Sequence, residues 1–473
     1  MKIFQKLPVR FLLQKTLRLF FCLLMLSAGP GAAMPADPED VAEGWKGAVA
    51  TSVITPEQSM WMSGYVSRER PSEGTLHDLK AKALALEDAD GHQAVLITAD
   101  IRNFPKNLSD EIRDRIERDY GLSRGQILLN SSHTHTGPLL FTDRNHVYLS
   151  SLTSPQLDRV RRYSETLVNR IVSLAGEALD NLQPVRLHAG NGVTRFQVNR
   201  RNNSEQSLHE QTELAGPNDF SVPVIKIEKP SGDLLAVVFG YACHPTVLNG
   251  YRWSGDYPGF AQLELEKTYP GTTALFFQGA GGDQNPIPRR TVALAEQYGR
   301  TLASAVSRVL GEEMRPLPAE LSTAYSEVDL PFSDLPAQNE LQRIAAETRG
   351  YQQIWAAHQL DIMERGETRM TEYPYPVQVW KLGDQPVISL GGELVTDYAI
   401  ELKRIYGQDS FILGYSNDVM AYIPSAGILR EGGYEGDTSH MVRGMPAVWD
   451  ATVETVILGE VLKVAEQAGV TAP

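Results

Sequence analysis

Residues 127–138 read I-L-L-N-S-S-H-T-H-T-G-P, an apolar run that ends in two histidines separated by one residue. The run predicts a buried strand, which Gly137 and Pro138 end. Side chains of an extended chain alternate between faces, so His133 and His135 are expected to point the same way, at a strand end where α/β folds place their pockets. This geometry suits a metal ion and its surroundings, although two solvated polar residues at a strand exit are the alternative.

Apolar runs and amphipathic segments alternate along the rest of the chain. Strands are predicted at residues 94–100, 222–227, 234–242 and 273–277, with a hairpin at 377–390. Helices are predicted at residues 108–120, 155–182, 260–267, 292–310, 340–364, 395–406 and 451–468. This order indicates an α/β fold, with a mixed β-sheet core flanked by helices. No low-complexity linker divides the sequence, so a single large catalytic domain is expected over residues 40–470.

The first 33 residues have the layout of a secretory signal peptide. Five basic residues and no acid are followed by an apolar stretch from Leu19 to Ala28 and by the small residues of segment 31–33. Cleavage is expected near Ala33, and an uncleaved membrane anchor is the alternative. No later stretch reaches membrane-spanning length without charges. The mature chain is therefore expected to lack a transmembrane segment and to be secreted or periplasmic.

Charge and cysteine content narrow the classes of partner. The formal net charge is −14, and loss of the five basic residues of the signal would bring it to −19. Such an acidic chain is a poor partner for nucleic acid or an anionic membrane surface, and favours a neutral or cationic ligand. Cys22 would leave with the signal, so the mature chain would keep only Cys243 and form no internal disulfide.

A second histidine, His244, also follows an apolar run and is itself followed by Pro245, which prevents the strand from continuing. Its neighbour Cys243 is expected on the opposite face, as a small buried hydrophobic residue and not as a thiolate. Two predicted strand ends therefore offer an imidazole each.

Three further polar residues lie near glycines. Glu393 follows two glycines at the start of a predicted helix, where an acid is also favoured by the helix dipole alone. Tyr422 and Tyr434 lie twelve residues apart in a glycine-rich stretch, where tyrosines usually pack and hydrogen-bond. These residues alone do not choose between a structural and a functional role.

Taken together, the motifs resemble the neutral or alkaline non-lysosomal ceramidases, a family of exported zinc amidohydrolases. The specific match is S-H-T-H-T-G-P at residues 132–138. Weaker matches lie at residues 54–56, 63–65, 77–78, 198–200, 254–256 and 434–436. The resemblance covers nearly the whole mature chain. It is expected to be limited to the N-terminal zinc amidohydrolase domain, with no counterpart of the family's immunoglobulin-like C-terminal domain.

The resemblance implies a set of site residues. The zinc ligands it implies are His133, His244, Glu393 and Tyr422. It also implies that His135 and Tyr434 contact the reacting carbonyl group. Zinc accepts nitrogen and oxygen ligands, and it lowers the pKa of a bound water to about 7, which explains why these residue types are wanted. His135 and Tyr434 are then expected to donate hydrogen bonds to the oxyanion, and His135 to pass a proton to the leaving amine.

One departure from the family pattern concerns the nucleophile. Where ceramidases carry a serine after G-D, this chain has Asn285, which cannot form an acyl-enzyme. The sequence therefore predicts a zinc-dependent hydrolase of linear amides, with an N-acyl lipid such as ceramide as the first candidate substrate. A zinc esterase, a hydrolase of another polar amide, and a catalytically silent ligand-binding protein on the same fold are the alternatives. The motifs leave the oligomeric state open.

Overall fold

The structure is a computed structural model that describes residues 44–142 and 147–472. The predicted signal peptide, residues 1–33, and its cleavage site lie outside the described residues. Among the described residues, no helix has the combination of length and hydropathy needed to cross a membrane.

Three sheets of four or five strands form the centre of the protein. The strands of the first sheet, in spatial order, are Ile127–Ser131, Gln93–Ala99, Lys80–Glu87, Lys46–Val53 and Gln183–Pro184. Those of the second sheet are Thr273–Gln278, Leu234–Tyr241, Ser221–Glu228, Arg186–Val193 and Arg315–Leu317. Those of the third sheet are Leu321–Pro331, Glu372–Leu382, Gln385–Leu390 and Phe411–Leu413. Each sheet is antiparallel except for one parallel pair at an edge.

Three two-stranded ladders complete the β structure. They pair Gly74–Thr75 with Arg252–Trp253, Gln197–Asn199 with Gln284–Pro286, and Glu393–Leu394 with Tyr422–Ile423. The last of these ladders is parallel and brings together two segments that both carry predicted zinc ligands.

Helices cover the outer faces of the sheets. They are Lys106–Tyr120, Val147–Ser150, Ser154–Asp180, Asp256–Thr268, Val292–Gly311, Gln338–Glu347, Tyr351–Glu364, Thr396–Tyr406, Ala426–Glu431, Ser439–Val442 and Val453–Gln467. Short 3₁₀ turns lie at Arg124–Gln126 and Leu208–Glu210, and a π-helical turn at Tyr434–Thr438. The prediction of a single helix at 340–364 is wrong. Two helices lie there, and they are separated at Gly350, where φ is +68°.

One apolar core joins the inner faces of the three sheets. It contains Leu96 and Leu128 from the first sheet, Val238 from the second, and Trp380 and Phe411 from the third. Separate apolar clusters lie between each sheet and its helices. The predicted class, an α/β fold in which mixed sheets are flanked by helices, is therefore confirmed, and the sheets form one large domain.

The parallel pairs of the three sheets meet at their carboxyl ends, and Asn130 links them. Its Nδ2 donates to the carbonyl of Gly414, 2.8 Å away, at the end of the third sheet. Its Oδ1 accepts from the backbone N–H of Gln278, also at 2.8 Å, at the end of the second sheet. A polar side chain buried between three strands is stable here because both ends of its amide are satisfied. The segments that follow these strands therefore leave the sheets side by side.

Candidate metal centre

His133 lies two residues beyond the end of the strand Ile127–Ser131, in a left-handed conformation with φ of +64°. The expectation that His133 and His135 share a face through strand alternation is therefore wrong, because the chain has already left the sheet. The two imidazoles converge all the same, with 3.2 Å between their Nε2 atoms. A residue with a β-carbon held at positive φ costs of order 1–3 kcal/mol, a cost that is typical of functional sites.

His133 and His244 are oriented in the same way. Each imidazole is fully buried and donates its Nδ1–H to a backbone carbonyl at 2.6 Å, that of Arg102 for His133 and that of Gly281 for His244. Burial lowers the pKa of His133 to about 4 and also lowers the pKa of His244. Both rings are therefore neutral near pH 7, and each presents an unprotonated Nε2 to the centre of the site.

Glu393 and Tyr422 reach the same point from paired strands. The two residues are direct partners in the parallel ladder that joins Glu393–Leu394 to Tyr422–Ile423. Oε2 of Glu393 lies 3.2 Å from Nε2 of His133 and 3.2 Å from Nε2 of His244. Oη of Tyr422 lies 3.2 Å from Nε2 of His244. Neither the H-T-H motif nor the glycines next to Glu393 indicated this pairing.

The donor set fits a cation. Two imidazole lone pairs and a carboxylate oxygen face one another at 3.2 Å with no proton between them, an arrangement that is repulsive unless a positive ion lies at its centre. Ligands about 2.0–2.1 Å from a tetrahedral zinc ion lie roughly 3.3 Å apart, close to the separations seen here. The donor atoms of His133, His244, Glu393 and Tyr422 thus lie close enough together to hold a metal ion, and those of His133, His135 and His244 also lie within 4.8 Å of one another.

Arginines that the sequence analysis missed surround these ligands. Arg443 donates through Nη2 to Oε1 of Glu393, and Nη2 of Arg102 lies 3.8 Å from the same oxygen. Burial alone would raise the pKa of Glu393, but its interactions with His133 and with the guanidinium of Arg443 outweigh burial and hold that pKa well below its usual range. No sequence signal marks Arg102 or Arg443 as partners, since their pairing with Glu393 depends on the fold.

Arg200 interacts with the hydroxyl group of Tyr422. Burial raises the pKa of Tyr422 well above its usual value, and Arg200 opposes that shift. Nη2 of Arg200 donates to Oη of Tyr422 at 3.0 Å, and its Nε donates to Glu435 at 2.7 Å. A positive ion at the centre of the site would act in the same direction as Arg200 and favour the phenolate. The V-N-R motif at residues 198–200 was the available sequence signal for this arginine.

The segment 63–68 packs against His135. The Tyr65 ring meets the His135 ring edge-on, with 4.9 Å between centroids, and Nη2 of Arg68 donates to the His135 carbonyl at 2.8 Å. Gly64, at φ of +105°, lies so close that a β-carbon there would be 2.6 Å from the β-carbon of His135. Nδ1 of His135 is buried without a hydrogen-bond partner among the described residues. The second histidine is thus fixed in place, with an imidazole nitrogen unused by the protein.

Tyr434 lies on the solvent side of the centre. It begins the π-helical turn after two glycines, Gly432 and Gly433, both at positive φ. Its ring meets that of Tyr422 at 5.4 Å between centroids. Burial of its hydroxyl raises the pKa of Tyr434 to about 12, so the hydroxyl keeps its proton and remains a donor at neutral pH.

Two residues bear on the choice of nucleophile. Cys243 is fully buried and unpaired, and burial raises the pKa of its thiol well above the ordinary value, as expected for an inert cysteine. Oδ1 of Asn285 lies 3.4 Å from both Nη1 of Arg200 and Oγ1 of Thr246. Neither side chain provides an activated nucleophile.

Comparisons with known proteins point to one family. The sequence model of the family described as "Neutral/alkaline non-lysosomal ceramidase, N-terminal" matches residues 47–289, which contain all three histidines of the site. Neutral ceramidase A of Dictyostelium discoideum is 26% identical over 248 residues, or 48% of this chain and 34% of that protein. Neutral ceramidase of Drosophila melanogaster is 24% identical over 233 residues, or 48% of this chain and 32% of that protein. The matched region thus spans about a third of the length of these relatives.

Solved structures extend the likeness to the fold of most of the chain. The crystal structure of neutral ceramidase from Pseudomonas aeruginosa superposes with a TM-score of 0.69 at 17% identity, covering 91% of this chain and 75% of that one. A structure described as ceramidase complexed with C2 gives a TM-score of 0.70 at 17% identity, covering 91% and 76%. Because the family match spans just over half of the chain and the fold agrees beyond it, this protein belongs to the neutral/alkaline non-lysosomal ceramidase family.

Proposed function

We propose that this chain is an exported, zinc-dependent hydrolase of linear amides, with an N-acyl lipid such as ceramide as its first candidate substrate. One observation carries the proposal: four donor groups converge from separate segments, and His135 and Tyr434 lie beside them. The names of the relatives, which are neutral ceramidases, support the choice of substrate.

In this proposal the zinc ligands are His133, His244, Glu393 and Tyr422. When bound, zinc supplies the Lewis acidity that lowers the pKa of water to about 7 and makes hydroxide available near neutral pH. The carbonyls of Arg102 and Gly281 hold the imidazoles in the required tautomer, and Arg443 keeps Glu393 ionised.

His135 and Tyr434 act on the substrate. As the oxygen of water bonds to the amide carbon, Nε2–H of His135 and the hydroxyl of Tyr434 donate to the developing oxyanion. The C–N bond then breaks, and a proton that came from water reaches the leaving nitrogen through His135. A carboxylic acid and an amine are the products, and near neutral pH the acid gives up its proton to become a carboxylate. Asn285 and the buried Cys243 take no part as nucleophiles, so hydrolysis proceeds in one displacement.

Two alternatives remain distinguishable from this function. A silent binding protein would have no use for oxyanion donors, so the placement of His135 and Tyr434 favours catalysis. A hydrolase of a more polar amide is favoured by a specific observation, the polar and charged side chains that line the cavity next to Tyr434 and Asn285.

The test is hydrolysis by zinc-loaded protein of an N-acylsphingosine, an N-acyl amino acid and a simple ester with the same acyl chain. Amide cleavage that disappears in His135→Ala, with the zinc content unchanged, is the expected result. Failure to cleave any amide, or cleavage of the ester alone, contradicts the proposal.

Export is tested separately by N-terminal sequencing of the mature protein, which should begin near Met34. Recovery of the full-length chain from the cytoplasm would contradict export.

A further inference from the structure

A cavity of about 710 Å³ adjoins the candidate metal centre. Tyr434 and Asn285 line it, so it opens directly beside the residues that face the reacting carbonyl. Its volume lies in the usual range for small-molecule sites, about 300–1,000 Å³. A substrate whose amide lies between His135 and Tyr434 would extend one of its two halves into this space.

The side chains that line the cavity are mostly polar or charged. Among the described residues that line it, Ile287 is the one aliphatic side chain and Tyr434 the one aromatic side chain. Three arginines, Arg200, Arg201 and Arg289, are among these residues, and a guanidinium group hydrogen-bonds to anionic oxygens. The cavity therefore suits the polar half of an N-acyl substrate, which is the leaving amine.

Asn285 supplies a free donor within this wall. Its Oδ1 is the atom that faces Arg200 and Thr246. No described residue accepts a hydrogen bond from its Nδ2, although the side chain is only 6% exposed. An amide with its acceptor occupied and its donor free can donate a hydrogen bond to an oxygen-bearing group.

Arginines outnumber acids around the cavity and His135. Arg200, Arg201 and Arg289 line the cavity and pair with three glutamates, at positions 205, 431 and 435. Arg68 and Arg290 lie on the other side of His135, packed against the Tyr65 ring. No described carboxylate lies within ion-pair distance of either.

The two groups of arginines are continuous. Nη1 of Arg289 donates to Oγ1 of Thr246 at 3.3 Å, and Nη1 of Arg290 donates to the carbonyl of the same residue at 3.3 Å. Five arginines thus face four acids, the three glutamates and the buried Asp256, whose charge interacts with that of Arg290. They do so in a chain whose formal net charge is −14. A local excess of positive charge against the overall charge attracts anions to this one place.

Resting on the proposed amidase function, we propose that the substrate carries an anionic group on its amine half. This group enters the cavity and meets the Asn285 amide and the arginines around Thr246. N-acyl amino acids, whose carboxylate lies next to the scissile amide, are the corresponding substrate class. A phosphate ester on the leaving amine offers the same charge.

The test compares matched substrates that differ only in the charged group. N-dodecanoylglycine, N-dodecanoylglycinamide and the phosphate ester of N-dodecanoylethanolamine are assayed with zinc-loaded protein, and binding of the first two is measured by calorimetry. We expect kcat/KM for the glycine compound to exceed that for the glycinamide at least about tenfold, mainly through KM, and to fall as NaCl is added. Higher activity on the phosphate ester would keep the proposal and identify the anion as phosphate.

Two variants locate the effect. Arg290→Gln and Arg289→Gln should lower kcat/KM for the glycine compound about 10-fold, the usual effect of losing a charged hydrogen bond, and leave the glycinamide within about twofold. Arg308→Gln, on the exposed face of the helix Val292–Gly311, is the matched control and should change neither.

The outcomes separate the two proposals. Equal kcat/KM and equal affinity for the charged and neutral compounds would overturn the anionic substrate while leaving the amidase function in place. If no amide is cleaved, yet the glycine compound binds at least tenfold more tightly than the glycinamide, the amidase function fails and the anionic site stands.

Discussion

Replacing Gly64 by alanine tests how closely catalysis depends on the position of His135. A β-carbon at Gly64 would lie 2.6 Å from both Cβ and Cγ of His135, and 2.8 Å from its Cα. Carbon atoms in contact prefer about 3.5–4.0 Å, so the two segments must move apart by roughly 1 Å. The residue also has φ of +105°, which costs an alanine about 1–2 kcal/mol in addition to the overlap.

The matched control is Gly91→Ala. Gly91 has φ of +86°, and a β-carbon there meets no atom within 4 Å, so this variant carries the backbone strain without the collision. We expect Gly91→Ala to lose about 1–2 kcal/mol of unfolding free energy with unchanged turnover. Gly64→Ala should lose about 2–5 kcal/mol, because overpacking adds about 1–3 kcal/mol to the strain.

Turnover is the decisive measurement for Gly64→Ala. A displacement of 1 Å at a catalytic group can lower the rate about 10²-fold. We therefore expect kcat near 1% of wild type at a temperature where denaturant titration shows the variant folded, with the zinc content unchanged. Turnover within about twofold of the Gly91→Ala variant would refute the idea that the 63–68 segment positions His135 for catalysis.

Four further predictions concern the site itself. His133→Ala should abolish tight zinc binding, which elemental analysis of wild type should show at about one ion per chain; wild-type protein that stays zinc-free after reconstitution would contradict the ligand assignment. Tyr434→Phe should retain zinc and lose about 10²-fold to 10³-fold in turnover, measured by steady-state kinetics, whereas a loss of zinc would make Tyr434 structural. Cys243→Ala should keep most activity, and no burst of first product or acylated protein should be seen in rapid kinetics or mass spectrometry. Arg443→Gln should cost about 3–5 kcal/mol of unfolding free energy, because it leaves the buried Glu393 short of a partner, and an effect no larger than that of the surface variant Arg308→Gln would show that the ion pair is not needed.

Much of the fold could be read from the sequence because its signals are local. The apolar run at 94–100 predicted the strand Gln93–Ala99, and the pattern at 155–182 predicted the helix Ser154–Asp180. Hydrophobic periodicity reports which face of a segment is buried, and that information lies within the segment. The resemblance drew on the same kind of signal, since H-T-H is a contiguous motif.

The sequence missed features that depend on other segments. The left-handed turn at His133 is imposed by contacts of the loop with its surroundings, such as the bond from its ring to the Arg102 carbonyl. The register that pairs Glu393 with Tyr422, and the ion pair from Arg443 to Glu393, join residues far apart in the chain. No local pattern encodes such contacts, because they exist only when three sheets meet at their carboxyl ends.

The distribution of charge also separates what the sequence determines from what the tertiary structure decides. The sequence by itself determined that the chain is acidic, with a formal net charge of −14, and that it has residue types suited to zinc. Only the tertiary structure decided that Arg68, Arg289 and Arg290 gather beside His135 and Thr246, where they outnumber the acids. The net charge is a sum over the whole surface, whereas a substrate responds to the few charges within about a Debye length of its site, roughly 8 Å at physiological salt.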